Sequence, residues 1–217
     1  MRGPTAFEDR RDAGRQLAAR MPPSPERTPI VLAMPRGGVP VAAEVAAALG
    51  APLDLIVVRK VGCPWQPELG LGAIAEGGVR ILNDDLIRGL GVRPDELDAA
   101  AAAEEQELER RIRRYRGDRP PIPLEGRDVI LVDDGLATGY TARAAIGAIR
   151  RAGAGRVTLA VPVAPPTSVA ELRLVADEVI TVITPRSFAG VGPFYRDFRQ
   201  TSDDEVVAIL ARAARPG

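Results

Sequence analysis

From residue 127 onward the chain repeats one pattern: a short continuous apolar run, a break, then an alanine-rich or amphipathic segment. The pattern predicts strands over 128–133, 156–163 and 178–183, and helices over 139–152, closed by Gly153, and over 166–176. The runs are apolar throughout instead of alternating, as strands covered on both faces are. The chain is therefore expected to be α/β, a mostly parallel twisted sheet with helices on both faces.

The first half is less regular. Residues 6–20 suggest an amphipathic helix, and the proline-rich stretch 21–29 a linker. IVLAM at 30–34 suggests a buried strand, and PRGGVP leads from it into an alanine-rich helix over 41–50. A second strand is expected over 51–60, ending in Arg59-Lys60. Two prolines and three glycines in VGCPWQPELGLG, 61–72, predict an irregular loop with no regular structure. AIAEGGVRIL at 73–82 suggests a hairpin, and residues 95–116 a long surface helix. With 217 residues and 46% hydrophobic content the chain is expected to form a single domain, 1–217, carrying a small hood or flexible lid around 61–85 and a second element at 185–200.

Composition excludes much chemistry. There is no histidine, which removes Ser-His-Asp and Cys-His catalysis and the commonest metal ligand. A single cysteine, Cys63, permits no internal disulfide and no multi-cysteine zinc site. With 29 basic and 29 acidic residues the chain shows no global cationic field for nucleic acid or membrane. No apolar run approaches the roughly 20 residues of a membrane span, and the N-terminal stretch lacks the apolar core of a signal peptide, so a soluble, cytoplasmic protein is expected.

In open parallel sheets ligands bind beyond the carboxyl ends of the strands. Three polar or glycine-rich segments fall there: PRGG (35–38), Arg59-Lys60 with its loop, and DDGLATGYT (133–141). In the last, backbone N–H groups from Gly135 through Leu136, Ala137, Thr138, Gly139 and Tyr140 to Thr141, with two hydroxyls, suit a phosphate monoester at a helix N-terminus. Asp133 and Asp134, acceptor-only when ionised, suit a vicinal diol. A phosphorylated ribose carries both groups. The competing reading, a strand cap followed by an acidic helix start, needs only one carboxylate. Neither a Walker A loop nor a dinucleotide fingerprint is present.

VILVDDGLATGYT (129–141) resembles, at all thirteen positions, the phosphoribosyl-pyrophosphate (PRPP) binding motif of type I phosphoribosyltransferases. The resemblance implies that fold, a magnesium-dependent transfer of the 5-phosphoribosyl group to a nitrogen acceptor, and release of pyrophosphate. It implies that Arg36, Gly37 and Gly38 wrap the pyrophosphate, in a loop that in the family often holds a non-proline cis peptide. Lys60, the only lysine among the 29 basic residues, and Arg59 would reach the pyrophosphate from the mouth of the lid. Asp133 and Asp134 would hold the ribose, while Mg²⁺ would sit on PRPP oxygens and water with no direct protein ligand. Arg36, Lys60, Asp133 and Asp134 are the expected catalytic groups.

The acceptor stays open. The family's 6-oxopurine enzymes commonly carry an aspartate where this chain has Ala137. Phe188, Phe194 and Tyr195, in FAGVGPFYRDF, are candidates for a wall along the acceptor; core packing is the competing role for Phe194, Tyr195 and Phe198. Trp65, in the lid, is either a closing contact or a surface aromatic, and Cys63 an ordinary small residue. A regulator of the same fold that senses PRPP or a nucleotide and binds RNA or DNA is the alternative function, with ERRIRRYRGDR (109–119) as its candidate patch. The long helix offers a surface for a homodimer.

Overall fold

The computed structural model describes residues 6–22 and 28–214, so the middle of the proline-rich linker lies outside the described residues. Helix α1 (Arg10–Ala18) is followed by strand β1 (Ile30–Ala33), helix α2 (Gly38–Leu49) and strand β2 (Leu53–Leu55). Strands β3 (Val58–Cys63), β4 (Gln66–Ala75) and β5 (Val79–Leu82) come next, then helices α3 (Asp84–Leu90) and α4 (Pro94–Arg116). The second half runs β6 (Asp128–Val132), α5 (Tyr140–Arg151), β7 (Arg156–Val163), α6 (Pro166–Leu172), β8 (Glu178–Ile183) and α7 (Asp203–Ala213).

Two sheets result. The core sheet is five-stranded, in the order β2-β1-β6-β7-β8, and every pairing in it is parallel. Successive side chains of β1 and β6 enter opposite cores. Ile30, Leu32, Val129 and Leu131 meet the alanines of α5 and Val169 and Leu172 of α6. Val31, Ala33, Ile130 and Val132 meet Leu17 of α1, Val41 and Val45 of α2, and Val206 and Leu210 of α7. This double coverage is what the unbroken apolar runs encode.

The chain leaves β1 through α2 toward β2 on one side and leaves β6 through α5 toward β7 on the other. Strand order therefore reverses between β1 and β6, and the crevice of a doubly wound sheet opens there.

The region 51–85 departs from the sequence reading. The expected single strand over 51–60 is two strands in different sheets, because the chain leaves β2 at Ile56 and starts a separate antiparallel sheet at Val58. The expected irregular loop 61–72 is mostly the β3–β4 hairpin. Its glycines are close-approach positions: a Cβ on Gly62 would lie 2.4 Å from the carbonyl oxygen of Pro67, and one on Gly72 2.2 Å from that of Ile81. Pairing slips at Gly62 and Cys63, so the hairpin takes up its prolines at an irregular tip instead of breaking. β4 and β5 form the predicted second hairpin around Glu76–Gly78.

The hairpin lies between two helices. Lys60 pairs with Ala73, and Ala73 and Val58 pack in the core that contains α5. Arg59 pairs with Ile74, which packs in the opposite core with Leu108 of α4. Lys60 and Arg59 thus face opposite sides of the hood sheet.

Candidate active site

The reversal point is built from two loops drawn together. Met34 N donates to the carbonyl of Val132 at 2.8 Å, so the loop after β1 starts on the end of β6. The peptide between Pro35 and Arg36 is cis. Gly37 and Gly38 then pass so close to the acids that side chains are excluded. A Cβ on Gly37 would stand 2.0 Å from Oδ2 of Asp134, and one on Gly38 would stand 2.7 Å from the carbonyl oxygen of Val132 and 2.9 Å from Cα of Asp133.

Asp133 and Asp134 leave the carboxyl end of β6 half-buried and side by side. Burial, and then the charge of Asp134, hold the carboxyl of Asp133 well above the ordinary carboxylate range. Burial raises Asp134 too, against the opposing pull of a nearby guanidinium. That guanidinium is Arg10 of α1, whose Nε donates to Asp134 Oδ2 at 2.7 Å. Tyr195 fixes the same residue through its main chain, donating from its hydroxyl to the carbonyl of Asp134 at 2.5 Å.

Beyond the acids, Gly135 lies against Val191 and Val163, and Leu136 N donates to the carbonyl of Val163 at 2.9 Å. Ser168 of α6 donates to the carbonyl of Ala137 at 2.5 Å. Ala137 and Thr138 are exposed and Thr141 is half-buried. Gly139, at φ 74°, turns the chain into α5, which has no side-chain cap and no acid in its first turn. Its first turn therefore presents the positive end of the helix dipole with no acid of its own. Tyr140 is held from the hood by Asn83, whose Nδ2 donates to its hydroxyl at 2.7 Å.

An uncapped helix start, two adjacent carboxylates and a glycine loop thus meet at one crevice. The family model described as "Phosphoribosyl transferase domain" matches residues 7–199. The chain belongs to this family. Two Mycobacterium tuberculosis proteins, from strains CDC 1551 / Oshkosh and H37Rv, each named "Putative phosphoribosyl transferase", are 54% identical over 209 residues, which is 96% of this chain. The chain spans about half the length of these relatives, 47%. The crystal structure of TT1426 from Thermus thermophilus is 45% identical with a TM-score of 0.82, covering 96% of this chain and 99% of that one. A Neisseria gonorrhoeae protein solved with bound ppGpp shares the fold at 12% identity and a TM-score of 0.50, covering 95% of this chain and 94% of that one.

In this phosphoribosyl transferase domain the expected site residues divide into two sets. Gly37, Gly38, Asp133 and Asp134 are in direct apposition, and the residues Gly135 to Thr141 continue from them. The cations of the expected pyrophosphate site stand elsewhere. Arg36 Nη1 lies 3.5 Å from Asp203, the first residue of α7. Asp203 also accepts from the Tyr115 hydroxyl at 2.7 Å, which, after burial, helps push that phenol up to about 12. Lys60 Nζ donates to the carbonyl of Glu68 at 2.8 Å, its Cε filling the space above Gly70. Arg59 is on the far face of the hairpin, 2.7 Å from Glu104 of α4.

The aromatic segment has two roles. Phe188 and Phe194 stack at 5.9 Å between centroids, both partly buried. Tyr195 is buried against Phe7, at 5.1 Å, and beside Phe198, at 4.9 Å. Trp65, at the tip of the hairpin, is exposed and Cys63 is buried. The arginine-rich segment 109–119 is no free cationic patch. Arg110 and Arg111 pair with Glu107, Arg113 with Glu109 and Arg114 with Asp204, while Arg116 is buried between Asp54 and Glu76. Among the described residues no helix is long and apolar enough to cross a membrane.

Several residues at the crevice escape the motif reading: Arg10, Tyr115, Ser168 and Asp203. For Arg10 a signal exists. It stands three, four and seven residues before Ala13, Gly14 and Leu17, the buried stripe of α1, and so lies on the inward face where a solvated arginine has no place.

Proposed function

We propose that this domain binds PRPP and transfers its 5-phosphoribosyl group to a nitrogen acceptor, most simply a nucleobase, releasing pyrophosphate. The observation that carries the reading is the contact of Gly37 and Gly38 with Asp134 and Asp133 beside the uncapped start of α5. It supports the reading because backbone able to take an anion would then lie on both sides of two acids able to take a diol. The phosphate monoester would accept the N–H groups of 137–141, the ribose hydroxyls would donate to the two acids, and the pyrophosphate would lie along 36–38.

In the reaction the acceptor nitrogen forms a bond to the anomeric carbon as the bond to pyrophosphate breaks, with inversion, and the electron pair leaves on the pyrophosphate. The transition state resembles an oxocarbenium ion, so the protein's work is to hold the ribose, neutralise the leaving group and exclude water. Asp133 and Asp134 anchor the ring and favour its developing positive charge. Arg36 would serve the leaving group after turning from Asp203, and Lys60 after leaving the carbonyl of Glu68. A magnesium ion would enter this site together with PRPP. When bound, that ion neutralises charge on the departing group.

The test is pyrophosphate release from PRPP with Mg²⁺, using the purified protein against a panel of purine and pyrimidine bases and a no-acceptor control. Base-dependent release is the expected result and names the acceptor. No release with any base, together with no PRPP binding, refutes the reading.

Lys60→Arg tests the lone lysine. The side chain is exposed, with Cε 2.3 Å from where a Cβ on Gly70 would lie and Nζ donating to the carbonyl of Glu68, and a planar guanidinium does not reproduce that geometry. Turnover should fall roughly tenfold, ~1.4 kcal/mol of barrier, while the melting temperature stays within a degree or two of wild type. Wild-type kcat in that variant would make the lysine incidental.

A further inference from the structure

Each acid of the pair has one oxygen already engaged from within the protein. Asp133 Oδ1 accepts the backbone N–H of Asp134 at 2.8 Å, and Asp134 Oδ2 accepts from Arg10 Nε at 2.7 Å. Among the described residues no backbone N–H or basic side chain donates to the second oxygen of either acid, and the two carboxyls lie within hydrogen-bonding reach of each other. Two carboxyls this close, each with an acceptor oxygen that no cation holds, match the two hydroxyl donors of a vicinal diol.

Arg10 is itself held on several sides. Its Nη1 donates to the carbonyl of Arg199 at 2.6 Å, and its guanidinium carbon sits 4.1 Å from the ring centroid of Phe198. Phe7, just before α1, forms a parallel bridge with Tyr195: Phe7 N donates to the carbonyl of Phe194 at 3.0 Å and Arg196 N to that of Phe7 at 2.9 Å. The segment preceding α1 and the segment following β8 are thus one unit, and that unit grips Asp134 through its side chain by Arg10 and through its main chain by Tyr195. With side-chain exposures of 11% and 13%, Arg10 and Asp134 are shielded enough for the contact to exceed an ordinary surface pair.

We propose that Arg10 is a positioning residue of the PRPP site: it fixes the orientation and the negative charge of Asp134, leaving Oδ1 to accept a ribose hydroxyl. The proposal rests on the PRPP reading above. It makes α1 and residues 194–199, which lie outside the PRPP motif, part of ribose recognition.

The groups that face Asp134 are few. They are Arg10 from α1, Asp133 from β6, the Tyr195 hydroxyl from the C-terminal segment, and the uncharged Gly37 from the loop after β1. Asp197 and Glu205 line the cleft on the outer side of Arg10. Burial favours the protonated form of Asp134 and Arg10 favours the ionised one, so removing the guanidinium must move its titration upward.

The experiment follows the Asp134 carboxyl by ¹³C NMR across pH in wild type, Arg10→Gln and Arg10→Lys, and measures PRPP binding to the same proteins by calorimetry over the same range. In Arg10→Gln the Asp134 midpoint should rise by about one pH unit or more, with PRPP affinity on the order of tenfold weaker at neutral pH and lost at a higher pH on acidification. Arg10→Lys, which keeps the charge, should return the midpoint toward wild type and recover affinity in part. A folded Arg10→Gln whose Asp134 midpoint and binding profile are unmoved overturns the proposal. So does an affinity reduced equally at every pH, which marks a merely structural contact. A wild-type protein that binds no PRPP overturns the PRPP reading along with this one, and shows it before any variant is compared.

Discussion

Replacing Asp133 and Asp134 together by asparagine is expected to weaken PRPP binding at least about tenfold, ~1.4 kcal/mol, while leaving the fold intact. The amide keeps the shape of the carboxylate and removes the charge, and it turns one acceptor oxygen into a donor that repels a hydroxyl's proton. The fold should tolerate this because burial opposes ionisation of the pair, and Arg10, which loses its anion, keeps the carbonyl of Arg199 and the Phe198 ring as partners. Both carboxyls are raised by burial, so the folded chain holds their protons more tightly than the unfolded chain does. Such groups add stability below the ordinary carboxylate pKa of about 4 and lose that contribution as pH rises through the raised folded values. Isothermal calorimetry with PRPP and a thermal melt decide the matter together. Unchanged PRPP affinity in a folded double variant removes the diol assignment, whereas a collapsed melt would make the acids structural.

What the sequence made legible here follows from where the information is local. The strands β6, β7 and β8 and the helix α5 were readable because a doubly covered strand must be apolar at every position, and their observed bounds lie within a residue or two of the expected ones. The diacid and the turn after it were readable because they are consecutive residues of one motif, at the end of a strand that was itself legible. The β3–β4 hairpin was not, since its glycines and prolines read as loop punctuation until the partner strand shows that Gly62 and Gly72 sit under backbone carbonyls. Arg10 meets Asp134 across 124 positions of sequence, and Arg36 meets Asp203 across 167, distances over which no spacing rule operates. The opposite faces of Lys60 and Arg59 were implicit in the strand expected over 51–60, whereas the hairpin that continues it was not.

Arg116→Ala should be the most destabilising of the arginine substitutions in 109–119, by about 3–5 kcal/mol. By composition Arg116 belongs with its neighbours, yet it lies four residues after Ile112 and eight after Leu108, on the inward stripe of α4. Its side chain is 7% exposed and supplies a fork of donors: Nη1 to Glu76 at 3.0 Å, Nη2 to the carbonyl of Leu55 at 2.9 Å, and Nε to Asp54 at 3.4 Å. Truncation leaves two shielded carboxylates facing each other without a cation. At roughly 2–4 °C per kcal/mol for a chain of this size, the melting temperature should drop on the order of ten degrees. Arg114→Ala, which removes only the exposed contact with Asp204, should cost less than about 1 kcal/mol. Equal losses in urea denaturation of the two variants would sink the argument. The network also has a functional consequence, because Asp54 belongs to β2 of the core sheet and Glu76 to the turn after β4, with Glu76 Oε1 accepting from Val57 N at 2.8 Å where the chain passes between the sheets. Arg116 therefore ties the hood sheet, which carries Lys60, to the core sheet, which carries the two acids, and a lysine in its place, a single ammonium where three directions must be served, should recover only part of the stability.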